Sequence, residues 1–273
     1  MTRPLRILSL HGYTSNAFIF HKRLGAVRRA CRDVAEFHCV NGPHLVQPFS
    51  AAQSLDAPEE SEGKQVDEST PLEEQPRAWW KADDDGRYVL WPETVEFLNG
   101  VFEKEGPFDG VCGFSQGACL AGILASAFED PSRVPGLRLP PTQKPFRFGI
   151  AISGFRARDP SMEAVWAQPI QTPMLVVLGK NDLIVDAERA QTLTDACANV
   201  RVEEHEGGHS VPTKAAWRNF FRDFITVFNI GDAASGQTPS EHAWRSVPGP
   251  SERQTSEADA AEDEASKKAG PKM

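Results

Sequence analysis

A chain of 273 residues, 40% hydrophobic and 25% charged, carries enough apolar material for a sizeable core and the usual balance of a soluble globular protein. Its formal net charge of -9 argues against nucleic acid or an anionic membrane as the main partner. No stretch approaches the roughly 18 apolar residues of a membrane span.

Leu5 to Leu10 is a short, β-capable apolar run that stops at His11-Gly12. Helical spacing follows over 18–32, with Phe20, Leu24 and Val27 along one side, and 34–40 reads as a second strand ended by Asn41-Gly42-Pro43. From Ser50 to Gln75 there are eight acidic residues, one Lys and few large apolar ones, which predicts an unpacked, flexible insertion at about 50–76. Order is expected to resume at Trp79-Trp80, with a helix over 92–105 opened by Pro92. Further strands are predicted at 110–114, 148–153, 174–178 and 200–205, and helices at 116–128, 187–198 and 213–228. Strands alternating with helices imply a mostly parallel sheet covered by helices on both faces. The expected domain is therefore 1–230. Beyond it, 231–273 turns to Gly, Ser, Pro, Ala, Asp and Glu, with Trp244 its only aromatic, and is expected to be a disordered tail.

Five cysteines, at 31, 39, 112, 119 and 197, form no C-x-x-C pair. They suit free thiols in a reducing compartment, and the opening apolar run is too short for a signal peptide. The expected location is the cytoplasm, with the nucleus open as well.

Gly113-Phe114-Ser115-Gln116-Gly117 matches G-x-S-x-G between a predicted strand and a small-residue helix. A sharp turn there would lift the Ser115 hydroxyl above the sheet as a nucleophile, with the flanking glycines removing side chains that would collide. An orienting acid and a base should follow, each on a loop after a strand, which is the order of the α/β-hydrolase fold. The apolar strand ending at Gly179 is followed by Lys180-Asn181-Asp182, and Asp182 can reach the sheet's C-terminal rim. Asp186 competes, but it reads as the N-cap of the next helix. Glu206-Gly207-Gly208-His209 closes the last strand, and His209 is the expected base, imidazole being able to take and return a proton near neutral pH. His205 reads as a strand residue, and His11 as one that shapes a turn. The backbone amides of Tyr13 and Gln116 are the expected oxyanion donors.

Leu10-His11-Gly12-Tyr13, the string from Phe108 to Ala118, Ile152-Ser153-Gly154-Phe155 and Gly207-Gly208-His209-Ser210-Val211-Pro212 resemble the FSH-type serine hydrolases over about residues 4–228. The resemblance implies an α/β-hydrolase fold, a Ser-Asp-His triad at Ser115, Asp182 and His209, no cofactor and no metal. It implies cleavage of carboxyl esters or release of acyl chains from thioester carriers, so the partner is a small-molecule or carrier-bound acyl substrate. A catalytically silent fold used as a binding module is the alternative, and its usual sign would be a missing triad member.

Phe114, Phe155, Trp79 and Trp80 are candidates for an apolar pocket wall, with Trp91 beside them; core packing is the competing role. Asp83-Asp84-Asp85-Gly86 lacks the alternating ligands and closing Glu of a calcium loop and reads as a solvated turn. Cys112 and Cys119 bracket Ser115 but read as small buried residues. Oligomeric state is not legible.

Overall fold

Strand and helix alternate because the apolar residues do. The computed structural model describes residues 3–47, 66–67, 69–230 and 239–252. Six strands form one sheet, all neighbours parallel: β1 (Leu5–Leu10), β2 (Ala35–Val40), β7 (Gly110–Phe114), β8 (Phe148–Ile152), β9 (Met174–Gly179) and β10 (Val200–His205), in spatial order β10-β9-β8-β7-β1-β2. This is the α/β-hydrolase architecture the motifs imply.

Period-two alternation sends successive side chains to opposite faces. Leu8, Leu10 and Val111 pack with α3 (Trp91–Glu105) and α4 (Gln116–Glu129) on one face. Ile7, Cys112, Phe114, Ile150 and Val177 pack on the other, against α1 (Ala17–Arg23), α2 (Gly25–Cys31) and α7 (Ala215–Ile230). Helices α5 (Glu163–Trp166) and α6 (Ala187–Asp195) join the α4 side through the buried Val165 and Leu193. Both faces are dry, as parallel sheets require.

Four expectations change. The helix over 18–32 is two helices, with Leu24 capping the first and its carbonyl accepting from the Arg28 amide at 2.8 Å. The period survives the break because Phe20, Leu24 and Val27 still bury the same side. Second, the acidic insertion is anchored before residue 76. Val66 and Gln75 are buried, and Asn16 Nδ2 donates to the carbonyls of Glu73 and Gln75 at 3.0 Å each. Residues 48–65 and 68 lie outside the described residues.

Third, two small antiparallel ribbons border that segment: β3 (His44–Leu45) before it with β4 (Arg77–Ala78) after it, and β5 (Lys81–Ala82) with β6 (Tyr88–Val89). The turn of the second is the Asp83–Gly86 stretch, where Asp83 Oδ1 accepts the amides of Asp85 and Arg87. Fourth, part of the expected tail is packed. Helix α8 (Glu241–Arg245) buries Trp244 against Phe224, with ring centroids 6.4 Å apart. Composition measured how little apolar surface that segment owns; it could not see the apolar surface α7 offers it. Residues 231–238 and 253–273 lie outside the described residues.

Candidate active site

The turn from β7 to α4 puts Ser115 at φ 55°, ψ -117°, a region that side chains other than glycine rarely occupy. Two glycines make the turn possible by proximity. A Cβ on Gly113 would lie 2.0 Å from the Gly117 carbonyl oxygen, and one on Gly117 would lie 2.1 Å from that of Leu10. The strained conformation is held from beneath, since the Ser115 amide donates to Ile152 O at 2.9 Å. Gln116 is the first residue of α4, so its amide has no partner inside the helix.

Asp182 and His209 meet in the loops that leave β9 and β10. His209 Nδ1 lies 2.8 Å from Asp182 Oδ2, with the Asp182 side chain only 1% exposed. The other carboxylate oxygen accepts the amides of Ile184 at 3.0 Å and Val185 at 2.9 Å. Burial alone would raise this carboxyl, but the Val185 amide, the His209 ring and the Ile184 amide outweigh it, and its pKa lies below the ordinary value. A carboxylate at Oδ2 makes Nδ1 the protonated nitrogen and leaves Nε2 to act as a base.

The two loops are tied together. The Asn181 amide donates to Gly207 O at 3.1 Å, and its side chain to Glu206 O at 2.8 Å. Gly207 and Gly208 serve this closeness rather than a left-handed turn: a Cβ on Gly207 would sit 2.8 Å from His205 Nδ1, and one on Gly208 3.0 Å from Asn181 O. The competitors fall into structural roles. Asp186 Oδ1 caps α6 through the Arg189 amide at 2.8 Å, and His205 is buried edge-on to Trp217.

Across the cleft, His11 is wholly buried and fixed as one tautomer. Its Nε2 accepts the Gly42 amide at 2.8 Å, so Nδ1 carries the proton and donates to Gly12 O at 2.7 Å. It shapes the turn that presents Tyr13. The Gln116 side chain has a role that no motif signals: Oε1 accepts the Trp79 amide at 3.0 Å and Nε2 donates to Trp80 O at 2.9 Å. That grip ties the 79–80 strap to the start of α4.

Ser115, His209, Tyr13 and Gln116 all line one cleft of about 790 Å³. Phe114, Phe155 and Trp80 line it too. Trp79 does not. Consecutive residues of an extended strap point opposite ways, so Trp79 faces inward, fully buried, and its Nε1 donates to His11 O at 2.8 Å. Trp91 also stays outside, edge-on to Trp80. Cys112 and Cys119 are buried, and burial pushes both thiols far up, away from reactivity. Sequence reasoning missed Arg23, Tyr88, Arg158 and Arg189, which also line the wall. Four scattered surface-type residues carry no motif, and only the fold gathers them.

The model of a family described as serine hydrolase (FSH1) matches residues 1–221. The human esterase OVCA2 is 32% identical over 238 residues, covering 83% of this chain and 97% of that protein. A Schizosaccharomyces pombe protein named dihydrofolate reductase is 32% identical over 227 residues; the match takes in 82% of this chain but only 48% of that relative, so the chain spans about half its length. Among solved structures, esterase PE8 superposes with a TM-score of 0.51 at 18% identity, covering 82% of this chain and 93% of that one, a likeness of fold. Among the described residues no helix is long and apolar enough to cross a membrane.

Proposed function

Since the chain belongs to the FSH1 serine hydrolase family and is a hydrolase, we propose that it cleaves carboxyl esters or thioesters of acyl chains through a Ser115 acyl-enzyme. The observation that carries this reading is the 2.8 Å contact between His209 Nδ1 and Asp182, made at the wall of the cleft that Ser115 also lines. His209 Nε2 takes the Ser115 proton as Oγ attacks the carbonyl carbon. Asp182 stabilises the imidazolium that forms, and the amides of Tyr13 and Gln116 receive the oxyanion. Collapse of the tetrahedral intermediate breaks the bond to the alcohol or thiol, which leaves with the proton from His209. Water, deprotonated by the same nitrogen, then attacks the acyl-serine and releases the acid. Small free esters and carrier-bound thioesters place the same carbonyl at Ser115, and both belong to the reading.

Ser115→Ala is expected to lower hydrolysis of a nitrophenyl ester by about 10⁴–10⁶-fold while leaving the circular dichroism spectrum intact. A fluorophosphonate probe should label the wild-type chain and not the variant. Undiminished turnover in Ser115→Ala would end the assignment.

A further inference from the structure

The cleft's charge is opposite to that of the chain. With a net charge of -9 overall, the chain lines this cleft with Arg23, Arg158 and Arg189, and with no Asp or Glu. Asp182 stands behind His209 and is committed to it. Among the described residues, none of the three guanidinium groups makes an ion pair.

Arg189 is the most constrained of them. Its guanidinium lies 3.8 Å over the Phe155 ring, and its Nη1 donates to Ile184 O at 3.3 Å. Its Nε is buried without a hydrogen-bond partner. A buried guanidinium N–H left unmatched is costly. Arg158 acts on Arg189 as a like charge, and burial together with that repulsion lowers the Arg189 pKa. Asp186 also acts on Arg189, but its Oδ1 is engaged in capping α6. Tyr88 and Cys119, the other groups that face Arg189, are kept neutral by burial. The arrangement is held in place: the Arg158 amide donates to Tyr88 Oη at 3.1 Å, and Tyr88 stacks on Trp80 with centroids 4.7 Å apart.

We infer that Arg158 and Arg189 form an anion subsite, and that the preferred substrate carries a carboxylate or phosphate at the end of the group lying along Phe155. This deepens the hydrolase reading of the same cleft and rests on it. An anion there would accept from the guanidinium groups that line the cleft and offset the repulsion between the two cations. The planar guanidinium fork suits either oxyanion. Two sources share this chemistry: an acyl chain ending in a carboxylate, and a phosphate-bearing thiol leaving group.

The test compares matched pairs. One pair is the nitrophenyl ester of pentanoate and the nitrophenyl monoester of glutarate; the other is pentanoyl-pantetheine and pentanoyl-4′-phosphopantetheine. In at least one pair the anionic member is expected to exceed its neutral partner about 10-fold or more in kcat/KM, and the pair that does so identifies the source. Arg189→Gln and, separately, the more exposed Arg158→Gln should each bring that ratio towards one. Equal rates within both pairs, or equal losses on anionic and neutral substrates in both variants, would overturn the subsite. Binding of the same compounds to Ser115→Ala, measured by calorimetry, keeps the two readings apart. Loss of all hydrolysis and labelling in the wild type sinks the chemistry. Tighter binding of the anionic member, abolished by Arg189→Gln, would still uphold the subsite.

Discussion

At the scale of single residues, the histidines show how environment assigns a role that residue type leaves open. His11 and His209 both follow a strand of the sheet, yet His11 is sealed between the carbonyl of Gly12 and the amide of Gly42. Burial pushes its pKa down from 6.5 to about 4, against a smaller upward push from the Gly12 bond. Between these values the unfolded chain binds a proton that the folded chain refuses. Stability is therefore full above pH 6.5, falls as pH drops towards 4, and is flat in this respect below that, for a total of about 3 kcal/mol. His11→Gln removes the titration. Its unfolding free energy, followed by urea titration between pH 6 and 5, should vary less steeply than the wild type's, by up to about 1.4 kcal/mol per pH unit. Parallel slopes would show that His11 is not held neutral. Ser115, Asp182 and His209 were legible in the sequence because each stands at a strand end beside glycines or a turn. The Gln116 side chain and the two arginines were not, since the partners of Gln116 lie 36 or more residues away and the arginines come from separate elements, Arg158 from a loop and Arg189 from α6.

At the scale of elements, close approach of backbones decides which glycines matter. Gly117 sits where α4 crosses the end of β1, and Gly100 lies in the interior of α3 with open space around it. Gly100→Ala should stabilise the protein by about 0.5–1 kcal/mol, because alanine gives up less chain entropy in a helix. Gly117→Ala would force a Cβ to within 2.1 Å of Leu10 O and 2.5 Å of His11 O. It is expected to cost several kcal/mol and to displace Tyr13 and Gln116 together, so activity should fall further than stability alone explains. Thermal melts and turnover on the two variants check the contrast, and similar melting temperatures would contradict it. The six core strands and the long helices were predictable because each carries a run or stripe of its own. Strands β3 to β6 were not: two residues cannot display a period, β3 and β4 exist through pairing with a distant segment, and β5 and β6 through a short local hairpin.

At the scale of the whole molecule, the sheet has two open edges, β2 and β10, and the chain returns to protect the second. After α7 a segment within 239–252 packs beside the start of β10. Arg201 Nη1 donates to the carbonyls of Trp244 and Arg245 at 3.0 Å each, and Arg245 reaches back to Val200 O. Arg201 is further held by Glu203 at 2.5 Å. An unpaired strand edge invites association with other chains, and covering it is a common remedy. Trp244, 1% exposed, is the apolar anchor of that cover. Truncating a buried Trp typically costs about 3–5 kcal/mol, a large share of the roughly 5–15 kcal/mol by which domains are stable. Here the loss stops at the free energy of docking the segment, because beyond that point the segment detaches. Trp244→Ala is therefore expected to lower stability by about 3 kcal/mol and to promote self-association through β10. The contacts lie at the start of β10, whereas His209 follows its end, so turnover at 25 °C should stay within about two-fold of wild type. Urea unfolding, light scattering and a nitrophenyl ester assay read the three effects separately. An unchanged unfolding midpoint would show that the segment rests on the sheet without holding it.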